Sequence, residues 1–208
     1  MKTKTINLYT FEELSDEAKD RARTWYRDDG GDSFQWQAES VLEDAATITE
    51  LFGLDINNKP VLLMGGGTRY DPEVYYDLGR ASYAAFVGTY RYKAGALKGV
   101  KAYAPLDTEL HRIVEELQKA QKKQFYKLIA HCTYHHYYGF QVEVEHADDN
   151  YRDITEAAEG ITEALRDFAS WIYKQLCRAE EWAYSDEYVD EGIIANEYTF
   201  TEDGRIEL

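Results

Sequence analysis

The feature that most constrains the fold is a thirty-residue amphipathic run from Ile154 to Ala183. Ile154, Ala158, Ile161, Leu165, Phe168, Ile172 and Leu176 recur there at alternating three- and four-residue steps. That spacing predicts one long helix with a continuous apolar stripe, which needs a broad partner surface to cover it. The other segments supply that surface as a sheet. "PVLLM" reads as a short buried strand, and "EVYYDL" and "ASYAAFVGTYRYK", rich in Tyr and Val, read as paired antiparallel strands. "KTINLY" (Lys4 to Tyr9) reads as a strand, and "QFYKLIAHCTYHHYYGFQVEVEH" as strand material broken at Gly139.

Helices fill the gaps. Thr10 with Glu13 has capping-box spacing, and Ser15 before Asp16 and Glu17 is a second cap. Leu14, Ala18, Ala22, Trp25 and Tyr26 then form a stripe that ends at Gly30-Gly31. Ser33 opens a second helix, with Phe34, Val41, Leu42, Ala45, Ile48, Leu51 and Phe52 on its apolar face and Gly53 closing it. After Pro105, Asp107 or Thr108 caps a helix to about Gln124 that buries Leu110, Ile113, Val114 and Leu117. "SDEYVDEGI" forms an acidic turn or short helix, and "NEYTFTEDGRIEL" a terminal hairpin turning at Asp203-Gly204. The class is α+β, an antiparallel sheet with helices packed on it. With 3 Pro and no polar linker, residues 1–208 read as a single domain.

Charge narrows the partners. The 39 Asp and Glu against 23 Lys and Arg give a net −16, which opposes direct nucleic-acid binding and anionic membranes and favours a basic protein partner. Two cysteines make no disulfide framework, and no apolar run has signal-peptide or membrane-span character, so the sequence predicts a cytoplasmic protein.

The segment "HCTYHHYYGFQVEVEH", residues 131–146, holds four of the five histidines. On a strand His131 and His135 share a face while Cys132 and His136 take the other. Residues four apart are then separated by about 13 Å, too far to share a metal with ligands at about 2 Å. The pattern favours a half-solvated sheet face over a metal hydrolase using His131, His135, His136 or His146 with carboxylates from elsewhere in the fold. Gly65-Gly66-Gly67 lacks the Lys-Ser/Thr and following helix of a phosphate loop and reads as a turn. With no Gly-x-Ser-x-Gly, His-Glu-x-x-His or Cys-x-x-Cys, the sequence names no catalytic residue, metal site or cofactor.

One local asymmetry points to a ligand. From Arg80 to Lys127 ten Lys and Arg face four Asp and Glu, and "GTYRYKAGALKGVKAY" interleaves tyrosines with cations. Tyr90, Arg91, Tyr92, Lys93, Lys98 and Lys101 are the candidate residues for a small anionic nucleotide, rings for the base and cations for phosphate. A solvated hairpin and a turn is the plainer reading of the same stretch. Among 18 Tyr and 4 Trp, Trp171, Trp182, Tyr184 and Tyr188 are candidates for a homo-oligomer interface.

Three stretches, "KTINLYTFEELSDEAKDRARTW", "YKAGALKGVKAYAPLDTELHRIVEELQ" and "SDEYVDEGIIANEYTFTEDGR", resemble a group of small acidic bacteriophage and prophage proteins labelled "antitoxin of toxin–antitoxin stability system". Where relatives read "SGFxSQGDGAxFEG", this chain reads "YYDLGRASYAAFVG", without the Gly-Asp-Gly, so no site residue carries over. The resemblance implies a mobile-element accessory protein in an infected or lysogenic bacterial host. Such a protein would neutralise a host defence or toxin protein by binding it, or sequester a nucleotide immune signal without cleaving it.

Overall fold

A computed structural model describes residues 6–29, 33–148 and 153–207. In chain order these form β1 (Tyr9–Thr10), a 3-10 turn (Phe11–Glu13), α1 (Asp16–Asp29), α2 (Ser33–Phe52), β2 (Leu54–Ile56), β3 (Asn58–Leu62) and β4 (Thr68–Pro72). There follow β5 (Val74–Asp77), β6 (Tyr83–Phe86), β7 (Gly88–Arg91), α3 (Ala96–Tyr103), α4 (Thr108–Lys123), β8 (Leu128–His135) and β9 (Gly139–His146). The chain continues through α5 (Thr155–Ala183), α6 (Asp186–Ala195) and β10 (Thr199–Phe200). Helices and purely antiparallel strand pairs make the α+β class plain. No helix among the described residues is long and apolar enough to cross a membrane.

The chain packs as two compact units, residues 1–39 with 178–208, and residues 40–177. In the latter, β2, β7, β8 and β9 form a four-stranded antiparallel sheet. Its register puts Tyr90 opposite both Leu54 and Ala130, and Cys132 opposite Val142, so one face is an apolar floor. On α5 the periodic residues Ile161, Leu165, Phe168, Ile172 and Leu176 are all buried. Phe168 meets Phe52 of α2 at 5.1 Å and Phe86 of β6 at 5.8 Å. The α4 stripe of Leu110, Ile113, Val114 and Leu117 is buried as its spacing predicts. Asp107 caps that helix, accepting from Leu110 N–H at 2.8 Å. At the far end buried Gln121 donates to the Leu128 carbonyl (2.8 Å) and accepts from Leu128 N–H (3.2 Å), which joins α4 to β8. Gly53 closes α2 at φ 90°. Its N–H reaches the Thr49 carbonyl (3.0 Å), and its own carbonyl accepts from Arg91 N–H (2.9 Å).

Two assignments within residues 40–177 differ from the sequence reading. "PVLLM" is not a buried strand: β3 pairs only with β4, and Leu62 and Met64 at its end are 84% and 109% exposed. A two-stranded ribbon has no second layer to cover it, whatever its hydrophobicity. The stretch after Lys93 is not a hairpin and turn but the helix α3, held by burial of Ala96 and Val100. Gly65 and Gly66 lie in the turn from β3 to β4.

In the unit of residues 1–39 and 178–208, Glu13 accepts from Thr10 N–H at 2.8 Å, completing the capping pair on the 3-10 turn. Ser15 caps α1 at 3.4 Å through Ala18 N–H, and Ser185 caps α6 at 3.2 Å through Tyr188 N–H. Phe11, Leu14, Ala18, Ala22 and Tyr26 pack on Val189, Ile193 and Phe200. Strand β10 pairs with β1, so the terminal hairpin returns through one bridge, Phe200 to Ile206. The first strand is two residues rather than six; Lys4, Thr5 and the Gly30-Gly31 helix end lie outside the described residues.

Candidate functional site

The histidines lie along a hairpin. His131 sits on the face of β8 opposite buried Cys132, with Nε2 3.3 Å from a Glu145 oxygen and Nδ1 3.5 Å from Thr89 Oγ1. His135 ends the strand opposite Gly139, and His136 lies in the turn. His146 accepts from Asp148 N–H at 3.2 Å. Among the described residues no three His, Cys, Asp or Glu side chains gather as a metal would require.

The buried face has a pH signature. Burial pushes the Cys132 thiol from 9.0 up to about 12 and raises the Tyr90 hydroxyl above 10.0. The hydrogen bond between Tyr83 and Tyr134, at 2.6 Å, helps push Tyr83 up to about 12. Well below pH 9.0 these groups are neutral in the folded and unfolded chain alike. Above it the unfolded chain loses protons first while the folded chain keeps them, so stability falls as pH rises from 9.0 toward about 12. Urea midpoints measured from about pH 8 to about pH 11 should decline. Cys132→Ala should delay the onset to near 10.0, where the tyrosines begin. A flat profile would contradict the assignment.

The basic, aromatic stretch divides. Tyr90 is 1% exposed with its ring in the core, so it cannot serve as an exposed stacking face. Tyr92, beyond the end of β7, lies against Tyr126 with ring centroids 4.2 Å apart. Lys93 donates to the Glu50 carbonyl (2.6 Å) and Lys101 to Glu115 (3.2 Å). Arg91 and Lys98 are exposed without a side-chain partner among the described residues. Of the six candidates, only Tyr92 lines a cleft of about 270 Å³, beside Leu97, Glu115, Gln118, Lys119, Lys122 and Tyr126. The last three come from α4 and the turn after it, where Phe125 and Tyr126 both adopt positive φ, 55° and 64°. The basic bias of residues 80–127 includes Lys119 and Lys122, but only the fold places them beside Tyr92.

The interface candidates divide as well. Trp171 is 4% exposed, stacked on Phe168 at 5.6 Å and donating Nε1–H to Asp107 at 2.7 Å, so it belongs to the core. Tyr188 is half-buried and accepts from Gln37 at 3.4 Å. Trp182 and Tyr184 are the two that reach the surface.

Charge is concentrated in the unit of residues 1–39 and 178–208. Its 70 residues hold 19 Asp and Glu against 8 Lys and Arg, a net −11 of the chain's −16. Its arginines are occupied. Arg23 grips Asp190 through two nitrogens at 2.7 and 2.8 Å, and that bond helps hold the guanidinium charged. Arg27 binds Asp186, whose carboxyl it lowers, and Arg21 donates to the Asp203 carbonyl at 2.9 Å. Arg205 pairs with Asp203 at 3.1 Å. Glu12, Asp28, Glu181, Glu187, Glu191 and Glu197 are exposed and have no side-chain partner among the described residues. The surplus carboxylates are therefore left facing water.

No curated protein and no solved structure matches the chain. A family model described as "Domain of unknown function (DUF8835)" matches residues 36–186. That span holds all of residues 40–177 but omits β1, α1, β10 and most of α6. Because the match covers well over half of its length, the chain belongs to the DUF8835 family.

Proposed function

We propose that the protein acts by binding, and that its partner is another protein with a basic surface. The supporting observation is the net −11 of one 70-residue unit in which Arg21, Arg23, Arg27 and Arg205 are engaged with its own groups. In the phage setting that the sequence resemblance implies, the partner is a host defence or toxin protein, neutralised when its basic face is covered. Rim carboxylates act mainly by steering and orienting such an encounter, so the complex depends on salt. From about 0.1 M to about 1 M salt the Debye length falls from about 10 Å to about 3 Å. Recovery of a bound protein from bacterial lysate should drop roughly tenfold or more over that range. A complex indifferent to salt would refute the proposal.

A second reading rests on the Tyr92–Tyr126 pair beside Lys122, whose ammonium group has no partner among the described residues. It makes the protein a sponge for a small anionic nucleotide, with a base on the rings and phosphate at the lysine. Incubation with a nucleotide panel, followed by heat release, should return intact ligand, and Lys122→Glu should abolish retention. Cleaved ligand would instead identify an enzyme, and no retention would remove this reading.

A further inference from the structure

In the unit of residues 1–39 and 178–208, the 3-10 turn after β1 and the end of α6 border an open groove of about 430 Å³. Phe11 and Ile193, both buried, contribute its apolar base, and Ile194 beside them is 46% exposed. Tyr198 also lines it, its ring held edge-on 5.1 Å from Trp25 and 6.3 Å from Tyr26. Both borders are fixed in advance. The Glu13 carboxylate holds Thr10 N–H on one side, and Asn196 caps α6 on the other, donating to the Gly192 carbonyl at 2.8 Å. A groove already in shape loses little ordering entropy on binding.

The charged residues that line the groove have one sign, while Lys19 and Arg23 reach the Phe11 ring at 5.8 and 5.7 Å, Arg23 with its charge taken up by Asp190. Glu12 and Glu197 line the groove, are exposed, and have no side-chain partner among the described residues. The last turn of α6 contains no basic residue, so the partial negative charge of the helix end is uncompensated there. The complement of such a groove is an apolar side chain flanked by cations. We propose that it docks a short basic segment of a partner protein. A Leu or Phe of that segment packs on the exposed Ile194 side chain, and neighbouring Lys or Arg meet Glu12 and Glu197. This inference rests on the basic-partner reading above and names where the contact is made and which side chain anchors it.

The test titrates the full chain with a fluorescent peptide in which Lys and Arg flank a central Leu-Phe pair, and with its twin carrying Gly-Ser instead. The twin should bind at least about tenfold more weakly, ~1.4 kcal/mol. Ile194→Asp, a change at an exposed site, should bring the Leu-Phe peptide down to the level of the twin. Glu12→Lys with Glu197→Lys should weaken binding more than Asp28→Lys with Glu181→Lys, which changes net charge equally but lies outside the groove. Circular dichroism checks that each variant keeps its helix content. Equal binding of both peptides overturns the groove and leaves the basic-partner reading standing. Loss of both peptides together with any lysate partner at about 0.1 M salt overturns that reading too. Light scattering addresses a different occupant: a mass above the 24.1 kDa of one chain, returned to that value by Ile194→Asp, would show a second copy in the groove and overturn the proposal.

Discussion

Phe168→Ala is expected to lower stability by about 3–5 kcal/mol, a large part of the ~5–15 kcal/mol typical of a folded chain. Phe168 is fully buried on α5, where rings from three other positions converge: Phe52 at 5.1 Å, Trp171 at 5.6 Å and Phe86 at 5.8 Å. The loss depends on how far these neighbours can collapse into the space left behind. Trp171 is held by its bond to Asp107, and Phe86 packs on Phe140 at 4.8 Å, so neither is free to follow. The upper part of the range is therefore expected. Urea unfolding followed by tryptophan fluorescence measures it, and Phe168→Leu should recover more than half of the loss. A drop under about 1 kcal/mol would show that the ring cluster does not organise this core.

Gly53→Ala is expected to lose about 2–4 kcal/mol, from two separable sources. At φ 90° a side chain costs about 1–2 kcal/mol for the left-handed backbone alone. The added Cβ would also lie 2.2 Å from the Arg91 carbonyl oxygen, a backbone atom that cannot swing aside. Relief requires β2 and β7 to separate, which threatens the bond from Arg91 N–H to the Gly53 carbonyl. Gly95→Ala is the control: its φ is 77°, but nothing lies within 4 Å of the new Cβ. It should show the backbone loss without the steric one. Equal destabilisation of the two variants would remove the steric part of this account.

That pair also marks where the sequence stops being informative. The position of Gly53 after an apolar helical stripe announces a helix end, because that signal is local. The approach of Arg91, 38 residues on, is not local and has no sequence signature. Asp107 repeats the lesson: its cap on α4 is legible from spacing, whereas its second bond, to Trp171, arises only from packing. The long stripe of α5 survives from Ile161 to Leu176 because period and length agree over many turns, while at its start Ala157 is buried in place of Ala158. "PVLLM" misleads because an unbroken apolar run reports hydrophobicity but not whether another layer exists to cover it. The helix α3 escapes notice because Gly99 depresses its propensity, and burial of Ala96 and Val100 compensates from a distance. Tyr90 and Tyr92 look equivalent on an alternating strand, yet β7 ends at Arg91, so one ring goes inward and the other meets Tyr126.

The discontinuity of the acidic unit has a consequence for synthesis. Leu14, Ala18, Ala22 and Tyr26 emerge from the ribosome long before their packing partners Val189, Ile193 and Phe200. Translation at about 5–20 residues per second leaves that apolar face of α1 unmatched for roughly 8–30 s. Residues 40–177 form a contiguous unit and can condense during that interval, whereas the acidic groove requires strands at opposite ends of the described chain to find each other. A nascent chain stalled near residue 186 would carry the whole DUF8835 match and none of the C-terminal half of the groove. On the proposal above, partner capture through the groove would require synthesis past Thr199, and copies stopped earlier would not compete for the same target.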